Sequence, residues 1–298
     1  MELKSLDTFI NIAKNKEKKK IAVAAAEDKP VLQAVKDAQE KGIVTPILVG
    51  NKAKIQEIAD EIEYDISQLE IIDEKSPAKA SIEAVSLIRG SYAHILMKGL
   101  VNSADYLKAV LNKELGLRKG SLLSHVGFFE TSAYHKLLAV TDAAQNISPD
   151  LNDKVAIIKN AVDFYHGLGV STPKIALLAA IEGVNPRMPA TIDAAAITMM
   201  NRRNQIKGCM IDGPLAFDNA ISKEAAEHKG INSEVCGDAD LLVTPDIESG
   251  NVLYKSFTYI GKATVAAVIL GAIVPIVLTS RADSNRSKLM SIALAASY

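Results

Sequence analysis

Short apolar runs of aliphatic and β-branched residues alternate with stretches of helical hydrophobic spacing along most of the chain. The runs lack the polar alternation of a half-buried strand, so they are typical of strands that are covered on both faces. A parallel sheet with helices packed on it covers strands in this way. The pattern therefore predicts an α/β protein with strands in IAVAAAED, TPILVGN, LEIID, AHILMKG, KIALLAAIEG, GCMIDGP, ADLLVTPD and IVPIVLTS.

Two segments depart from this rhythm of strands and helices. Residues 121–150 contain two apolar runs joined by ETSAYH, which predicts an antiparallel pair of strands, and LNDKVAIIKNAVDFYHGLG then predicts a long helix. The stretch ATVAAVILGAIVPIVL (263–278) is the most apolar of the chain, but it falls short of the roughly 20 residues of a membrane-spanning helix, and Gly271 and Pro275 interrupt it. We expect a buried helix there that leads into a buried strand.

Many of the predicted strands end in a small or polar residue. In an open α/β sheet, ligands gather outside the carboxyl ends of the strands, so these residues mark where chemistry is expected. They are Gly50, Asp73, Gly99, Gly183, Asp212, Asp246 and Ser280.

Chain length, charge and cysteine usage narrow the class of protein. With 298 residues, the chain exceeds what one compact core usually holds, which predicts two domains or one large α/β unit. The formal net charge of -1 gives no long-range field for nucleic acid or an anionic membrane. The amino-terminal region has no signal-peptide pattern, and the two cysteines form no CxxC motif. We therefore expect a cytoplasmic protein with small-molecule partners, no nucleic acid and no membrane.

The familiar short motifs of cofactor and hydrolase sites are absent from the sequence. No G-x-G-x-x-G follows the first predicted strand, and no P-loop G-x-x-x-x-G-K-[ST] occurs. The histidines show no H-E-x-x-H spacing, and no G-x-S-x-G nucleophile elbow is present. We expect no metal site and no ordinary nicotinamide, P-loop or hydrolase site.

The segment PIVLTSRADSNRSKL (275–289) concentrates anion-binding groups where a predicted strand meets a predicted helix. Ser284 or Asn285 is the expected N-cap of that helix, and a helix N-terminus with Arg281 and Arg286 beside it suits phosphate oxygens. Ser280 adds a hydroxyl and Asp283 a carboxylate. A helix cap with solvated arginines accounts for the same residues, so the segment alone leaves both interpretations open.

Three further segments identify a family. Together with CMIDGPLAFDNAIS (209–222), DADLLVTPDIESGNVLYKSFTYIG (238–261) and TPILVGNKAKIQEIADE (45–61), the last segment resembles the phosphate acetyl- and butyryltransferases nearly from end to end, with details closer to the butyryl members. The resemblance implies two three-layer α/β domains around a cleft, as in the isocitrate and isopropylmalate dehydrogenases. We place the first domain at 1–125 plus 279–298 and the second at 126–278, with a homodimer or higher homo-oligomer formed through the second.

The resemblance also implies the chemistry. Butyryl-CoA and inorganic phosphate would give butyryl phosphate and CoA, reversibly, by direct attack in a ternary complex. CoA is then a substrate or product, and no cofactor is expected. Acetyl-CoA as the substrate, branched acyl groups, a metal- and NAD-dependent hydroxyacid dehydrogenase of the same fold, and a non-catalytic CoA-binding protein remain alternatives.

The resemblance assigns catalytic roles at the end of the last strand. Ser280 matches the family's serine that bonds the reacting thioester or the leaving sulfur, and Arg281 matches the arginine that binds phosphate or CoA. The acetyltransferases carry a base-like aspartate where this chain has Ser287, so the general base is open. We take Asp283 as its substitute, while dianionic phosphate itself needs little help from a base.

Other residues are expected to bind phosphate or CoA. Lys108 stands where the acetyltransferases have an arginine that contacts phosphate, and lysine lacks the bidentate fork of arginine. The motif around Asp246 is expected to end a strand and to form a turn before a helix, with backbone N–H groups available to CoA. The predicted binding residues are Lys108, Asp246, Ser249, Gly250, Asn251, Lys255, Arg286 and Ser287.

The sequence allows two interpretations for each of four further residues. Arg187, Arg202 and Arg203 are candidates for the 3′-phosphate of CoA, but exposed arginines are usually solvated. His125 sits near the predicted antiparallel pair, where a satisfied core histidine is the simpler interpretation than a catalytic base.

Overall fold

The computed structural model describes residues 1–120, 122–279 and 283–298. Its strands follow the order of the predicted apolar runs closely. They are β1 (Lys19–Ala24), β2 (Val44–Gly50), β3 (Glu70–Asp73), β4 (Ile95–Lys98), β5 (Ser124–Glu130), β6 (Leu138–Thr141), β7 (Lys174–Leu178), β8 (Met210–Leu215), β9 (Leu241–Val243), β10 (Thr264–Leu270) and β11 (Ile276–Val277).

Helices separate most of these strands, as the alternating pattern predicts. Ser76 and Asp150 illustrate how they begin, since each side chain accepts a hydrogen bond from an N–H in the first turn of its helix. The helices are α1 (Asp7–Lys14), α2 (Lys29–Glu40), α3 (Lys52–Glu61), α4 (Pro77–Arg89), α5 (Ser103–Val110), α6 (Leu151–Gly167), α7 (Pro189–Arg202), α8 (Phe217–Ile221), α9 (Lys223–His228), α10 (Ile247–Lys255), a π-helical turn at Ser256–Ile260, and α11 (Asn285–Ser297).

The described chain forms two compact units. One, here called the flanking unit, consists of residues 7–121 and 266–298, and the other, the central unit, consists of residues 1–6 and 122–265. The predicted division placed 1–125 with 279–298, so the compact units differ from it in three places: residues 1–6 and residues 122–125 group with the central unit, and the return to the flanking unit comes at 266. The division into independently folding domains stays a prediction.

The flanking unit contains a sheet of order β3-β2-β1-β4-β11-β10. The strands from β3 to β11 run parallel, and β10 pairs antiparallel with β11. Residues 21–24 of β1 are fully buried, which is expected of a strand in the middle of a covered sheet. Two groups of helices cover it: α1 and α2 pack against α11, while α4 packs against α5 and β1.

Helix α11 lies inside the flanking unit rather than on its surface. Every residue from Ser287 to Ser297 is buried, because α1, α2 and β11 contact the helix. Lys16 follows α1 and donates from Nζ to the Ser297 carbonyl oxygen at 2.7 Å, so it satisfies one of the orphan carbonyls at the helix end. The contacts with α1, α2 and β11 thus fix the position of this helix.

The central unit contains a sheet of order β5-β6-β9-β7-β8. β5 and β6 are antiparallel, and the remaining neighbours are parallel. The predicted antiparallel pair within 121–150 is therefore confirmed, and so is the long helix after it, which is α6. In the described ranges, no helix has both the length and the apolar character to cross a bilayer.

The α/β class is confirmed, but one predicted element is wrong. Residues 264–270 form the strand β10, not a helix. Four of the seven residues in TVAAVIL are β-branched, and such side chains favour the extended backbone over the helix. Gly271 follows with φ +86°, and the chain turns back so that Ile269 pairs with Ile276.

A charged cluster joins the amino ends of the central strands. The buried Lys136 ammonium lies 2.9 Å from Asp238 Oδ1 and 2.6 Å from Asp240 Oδ1. Lys174 Nζ lies 2.7 Å from Asp238 Oδ2, and His135 Nε2 lies 2.9 Å from Asp238 Oδ1. Burial alone would raise the pKa of the Asp238 carboxyl, but hydrogen bonds from Lys174, Lys136 and His135 hold that pKa well below its ordinary value. The ionised carboxylate therefore stabilises the folded state.

This cluster predicts how stability depends on acid. Because the folded pKa of Asp238 is depressed, its contribution is present above the unfolded pKa, about 3.9, and is lost as the pH falls through the folded value. We expect Asp238→Asn to lower the urea midpoint at pH 7 and the difference from wild type to shrink steadily below about pH 4. The exposed Asp163→Asn change serves as the control. A difference that is constant from pH 7 to pH 3 would contradict the assignment.

Gly250 in α10 gives a second prediction, in which a glycine-to-alanine change in a helix lowers stability instead of raising it. An alanine at an ordinary helix position is about 1 kcal/mol better than glycine. Here an added Cβ would lie 2.3 Å from the Asp142 carbonyl oxygen and 2.7 Å from Thr244 Oγ1. We expect Gly250→Ala to destabilise by about 1–3 kcal/mol in urea unfolding. Gly183→Ala is the matched control, because a Cβ there meets nothing within 4 Å; equal effects of the two changes would refute the packing explanation.

Candidate active site

The carboxyl ends of three strands meet at one edge of the flanking sheet. β4 lies between β1 and β11 and runs parallel to both, with Ala24 paired to Lys98 and Val277 paired to Met97. The residues that follow these strands therefore emerge at the same edge, where α/β proteins bind ligands. Thr279 is among them.

Gly99 fixes how closely the chain segments after β1 and β4 approach. Its N–H donates to the Ala24 carbonyl oxygen at 2.8 Å, and the Leu100 N–H donates to the Ala25 carbonyl oxygen at 2.7 Å. An added Cβ at Gly99 would lie 2.1 Å from the Ala25 carbonyl oxygen, which cannot move without breaking this pairing. The sequence prediction that Gly99 marks a special strand end thus has a physical reason, which is close backbone contact.

A small pocket of about 180 Å³, with both polar and apolar side chains in its wall, lies at this edge. Its volume is below the roughly 300–1,000 Å³ of pockets that take cofactor-sized ligands, so it suits a small ion or molecule. Its polar side chains come from four separate parts of the flanking unit. The lining residues are Asp28, Pro30, Val31, Lys98, Gly99, Leu100, Thr279 and Lys288.

Lys288 is a member of this pocket that the sequence analysis missed. It is only 2% exposed, and its Nζ donates to the Asp283 carbonyl oxygen. Within the part of the chain that the structure describes, no carboxylate lies at ion-pair distance from this ammonium. Burying a charge without a counter-ion is costly, so the site favours an anion.

A sequence signal for Lys288 exists. It precedes Ile292 and Ala296 by one and two steps of four residues, so it lies on an apolar stripe of α11. Lysines in helices are usually exposed, so this position on the apolar stripe was not interpreted as a buried lysine.

The first turn of α11 adds to the positive character of the pocket. Ser284 is the N-cap, and its Oγ accepts a hydrogen bond from the Ser287 N–H at 3.1 Å. Acidic residues are normally favourable at the N-terminal end of a helix, where the helix dipole is positive. The first turn of α11 has no acidic residue and carries Arg286 and Lys288 instead. Lys288 lines the pocket, whereas Arg286 faces Asp7 at the surface, so the positive charge that this turn adds to the pocket is that of Lys288.

The other predicted residues of this segment have mixed outcomes. Ser280 and Arg281 lie outside the described residues. Arg286 Nη2 lies 3.4 Å from Asp7 Oδ2 at the surface, and the Asp283 carbonyl oxygen accepts the bond from Lys288. Ser287 is buried and takes part in the cap, since the Ser284 hydroxyl donates to Ser287 Oγ at 3.1 Å.

The predicted turn at residues 249–251 is wrong, because these residues lie inside α10. The strand β9 ends at Val243, and Asp246 is the N-cap of α10, with its Oδ1 accepting from the Ser249 N–H at 2.8 Å. The Gly250 N–H donates to the Asp246 carbonyl oxygen. The Asp246 cap starts the helix at Ile247, five residues before the first position that a turn at 249–251 would leave for it, so these N–H groups are used by the helix.

The remaining predicted binding residues lie on surfaces. Asn251 and Lys255 are exposed on α10, and Asn251 Nδ2 donates to the Ala143 carbonyl oxygen at 3.2 Å. Lys108 is exposed in the last turn of α5, in the flanking unit. The structure thus brings Asp283, Arg286 and Ser287 together around the start of α11 and places the α10 group in the other unit.

His125 is a core residue, as the sequence analysis favoured, but among the described residues its buried Nδ1 has no hydrogen-bond partner, so it is not the satisfied histidine that was expected. It is 5% exposed, and its backbone N–H donates to Asp142 Oδ2 at 3.1 Å. Burial lowers the pKa of its imidazole, and the nearby Asp142 carboxylate counteracts this shift only in part. The ring packs against Tyr254 with 5.7 Å between centroids. A buried neutral imidazole in this position supports the sheet.

The central unit has a larger pocket of a different character. Its volume is about 570 Å³, and apolar groups form most of its wall. It suits a hydrocarbon group rather than an anion. Residues from β7, α7, α8 and α10 line it, including Leu178, Met188, Phe217, Val252 and Leu253.

The described ranges contain no group of three or more His, Cys, Asp or Glu side chains that could hold a metal ion. The expectation that the protein uses no cofactor stays a prediction.

Comparison with known sequences gives consistent results over nearly the whole chain. The family model described as phosphate acetyl/butaryl transferase matches residues 5–81 and 77–296. The phosphate butyryltransferase of Clostridium acetobutylicum is 49% identical over 294 residues, which cover 99% of this chain and 98% of that protein. The phosphate acetyltransferase of Thermotoga maritima is 42% identical, covering 98% of this chain and 99% of that protein.

Solved structures agree with the fold. A branched-chain phosphotransacylase from Enterococcus faecalis V583 superposes with a TM-score of 0.82 at 36% identity, covering 93% of this chain and 98% of that one. A 4-hydroxythreonine-4-phosphate dehydrogenase from Burkholderia phymatum superposes with a TM-score of 0.56 at 14% identity, covering 94% and 99%. The second likeness concerns the fold alone and confirms the predicted dehydrogenase-like architecture. On the family match and the identities over the full length, this chain belongs to the phosphate acetyl/butyryl transferase family.

Proposed function

We propose that this protein transfers a butyryl group reversibly between CoA and inorganic phosphate. Butyryl-CoA and hydrogen phosphate give butyryl phosphate and CoA: a C–O bond forms, the C–S bond breaks, and the proton of hydrogen phosphate ends on the CoA sulfur. The observation that carries this proposal is the small cationic pocket at the strand ends, where Lys288 is buried without a carboxylate partner among the described residues. Membership of the family supplies the reaction class.

The reaction needs donors at three places. Phosphate oxygen must be aligned with the thioester carbon, the carbonyl oxygen becomes an oxyanion, and the leaving thiolate must be stabilised. Ser280 is proposed to bond the thioester or the leaving sulfur, and Arg281 to bind phosphate or CoA. Asp283 remains the proposed general base. Phosphate is proposed to attack directly in a ternary complex, without a covalent acyl-serine.

Some predicted binding residues stay proposals, and others have a structural role that accounts for them. Lys108, Asn251 and Lys255 are exposed polar side chains that are proposed to contact phosphate or CoA. Arg286 is proposed as a further contact, in competition with Asp7. In contrast, Asp246, Ser249, Gly250 and Ser287 serve helix caps or close packing, so their side chains are weaker candidates for ligand contacts.

Butyryl is proposed over acetyl because the phosphate butyryltransferase relative is 49% identical and the phosphate acetyltransferase relative 42%, each over nearly the full chain. The name of the Enterococcus faecalis protein, a branched-chain phosphotransacylase, also makes branched acyl groups candidates. A homodimer or higher homo-oligomer in the cytoplasm, working without a cofactor, completes the proposal.

The first test measures free thiol released from butyryl-CoA with and without inorganic phosphate, and with EDTA present. We expect release that depends on phosphate and is insensitive to EDTA. Ser280→Ala and Arg281→Ala are each expected to lower kcat by about 100-fold or more, the usual effect of losing an oxyanion or phosphate donor. Arg89→Ala, an exposed change on α4, is the control and should leave the rate unchanged.

Either of two results would overturn the proposal. Release that needs a divalent metal or a nicotinamide would favour the dehydrogenase alternative. Binding of CoA without any phosphate-dependent release would favour a non-catalytic binding protein.

Acyl preference is tested separately, with kcat/KM for acetyl-, butyryl- and isobutyryl-CoA at saturating phosphate. Each methylene in an apolar pocket is worth about 1–3 kcal/mol, so butyryl-CoA should exceed acetyl-CoA by at least about tenfold. Equal values for acetyl and butyryl substrates would show that the chain-length assignment is wrong while leaving the reaction class intact.

A further inference from the structure

We propose that the pocket at the ends of β1, β4 and β11 binds the hydrogen phosphate ion, and that Asp28 makes it selective for phosphate over sulfate. Lys98 and Lys288 would supply the positive charge, and Asp28 would accept a hydrogen bond from the P–OH group. This inference rests on the proposed function for its role in turnover. It assigns phosphate binding to side chains that neither the sequence motifs nor the family resemblance identified.

Two lysines line the pocket. The Lys288 side chain is only 2% exposed, and Lys98 is half-buried, with its Nζ 3.4 Å from the Gly99 carbonyl oxygen. Each ammonium carries three N–H donors, and Lys288 uses one of them on the Asp283 carbonyl oxygen. A neutral carbonyl does not balance a buried positive charge. An anion in the pocket balances it.

The position of Lys288 on its helix also favours an anion. It lies in the first turn of α11, at the positive end of the helix dipole, where a cation is unfavourable. The buried lysine and the helix end therefore both favour the same ligand charge. Thr279 lines the pocket as well and offers a hydroxyl donor.

The size of the pocket suits a small anion. Its volume of about 180 Å³ is below the roughly 300–1,000 Å³ of sites that hold cofactor-sized ligands, so a tetrahedral oxyanion fits this space and a whole CoA molecule does not.

Asp28 gives the pocket its discrimination. Its Oδ1 accepts a hydrogen bond from the Val31 N–H at 3.1 Å as the N-cap of α2, and a carboxylate has about four acceptor positions. A carboxylate beside a fully deprotonated anion is repulsive, but it accepts a hydrogen bond from an anion that keeps a proton. Near neutral pH inorganic phosphate keeps at least one P–OH group and sulfate keeps none. Asp28 therefore favours phosphate and rejects sulfate.

The test is calorimetric titration of the protein with inorganic phosphate and, separately, with sulfate, in the absence of any acyl-CoA. Wild type is expected to bind phosphate and to bind sulfate at least about 100-fold more weakly, because a site built around a donor hydrogen rejects an analogue that lacks it. Lys288→Met and Lys98→Met are each expected to weaken phosphate binding by about 10- to 100-fold, the effect of a lost charged hydrogen bond. Lys79→Met, an exposed change on α4, should bind phosphate like wild type.

Asp28→Asn isolates the selectivity. Asparagine is as good an N-cap as aspartate, so α2 keeps its start. The amide removes the negative charge and can donate, so sulfate binding should strengthen by at least about tenfold relative to phosphate. In turnover, the lysine variants should raise KM for phosphate while KM for butyryl-CoA stays within about twofold.

The outcomes separate this inference from the proposed function. If wild type binds phosphate, Lys288→Met and Lys98→Met do not, and no thiol is released from butyryl-CoA, the pocket assignment stands and the proposed function fails. If thiol release is observed but both lysine variants bind phosphate as wild type does, the pocket assignment is wrong and the function stands. If circular dichroism shows that Lys288→Met does not fold, phosphate binding by Lys98→Met, a change at a half-buried side chain, decides whether the pocket assignment is correct. Unchanged phosphate-to-sulfate selectivity in Asp28→Asn would remove Asp28 from the site.

Discussion

The contact between Gly99 and the backbone of Ala24 and Ala25 is the constraint on which the pocket depends. Two backbone hydrogen bonds hold the chain after β4 against the chain after β1, at a distance that leaves no room for a Cβ. Ala25 adopts φ +51°, a left-handed conformation that bends the chain out of β1 toward Asp28. Lys98 and Asp28 therefore face one pocket because their backbones are joined just before them.

The second element of the pocket comes from the opposite end of the sequence. Helix α11 is covered by α1, α2 and β11, so its first turn has a fixed position. The Ser284 cap sets where the helix begins, and this places Lys288 in its first turn. An exposed helix would let the lysine reach solvent. Burial on all sides holds its ammonium beside the strand ends, where its charge acts on a ligand.

The sequence allowed the fold to be predicted well where local pattern and tertiary position agree. The buried parallel strands show continuous apolar runs, and the caps Asp150 and Ser284 are ordinary sequence signals. The helix predicted for residues 264–270 was wrong because a buried apolar run has the same hydrophobic pattern whether it forms a helix or a strand. Only the pairing of Ile269 with Ile276 distinguishes the two. The turn predicted for residues 249–251 was wrong because a Ser-Gly-Asn sequence favours a turn only locally. The Asp246 cap and the close packing of Gly250 against Asp142 favour a helix instead. Lys288 was missed because burial of a lysine depends on neighbours that are distant in sequence.

The split of the flanking unit along the chain has a consequence for biosynthesis. Its residues 7–121 leave the ribosome first, yet β11 and α11 follow only after the whole central unit. Until then, the α1 and α2 surfaces that α11 covers are exposed to solvent, and the pocket lacks Thr279 and Lys288. The pocket can therefore form only after α11 has been synthesised, and the uncovered apolar surface of α1 and α2 is where a nascent chain needs protection from aggregation.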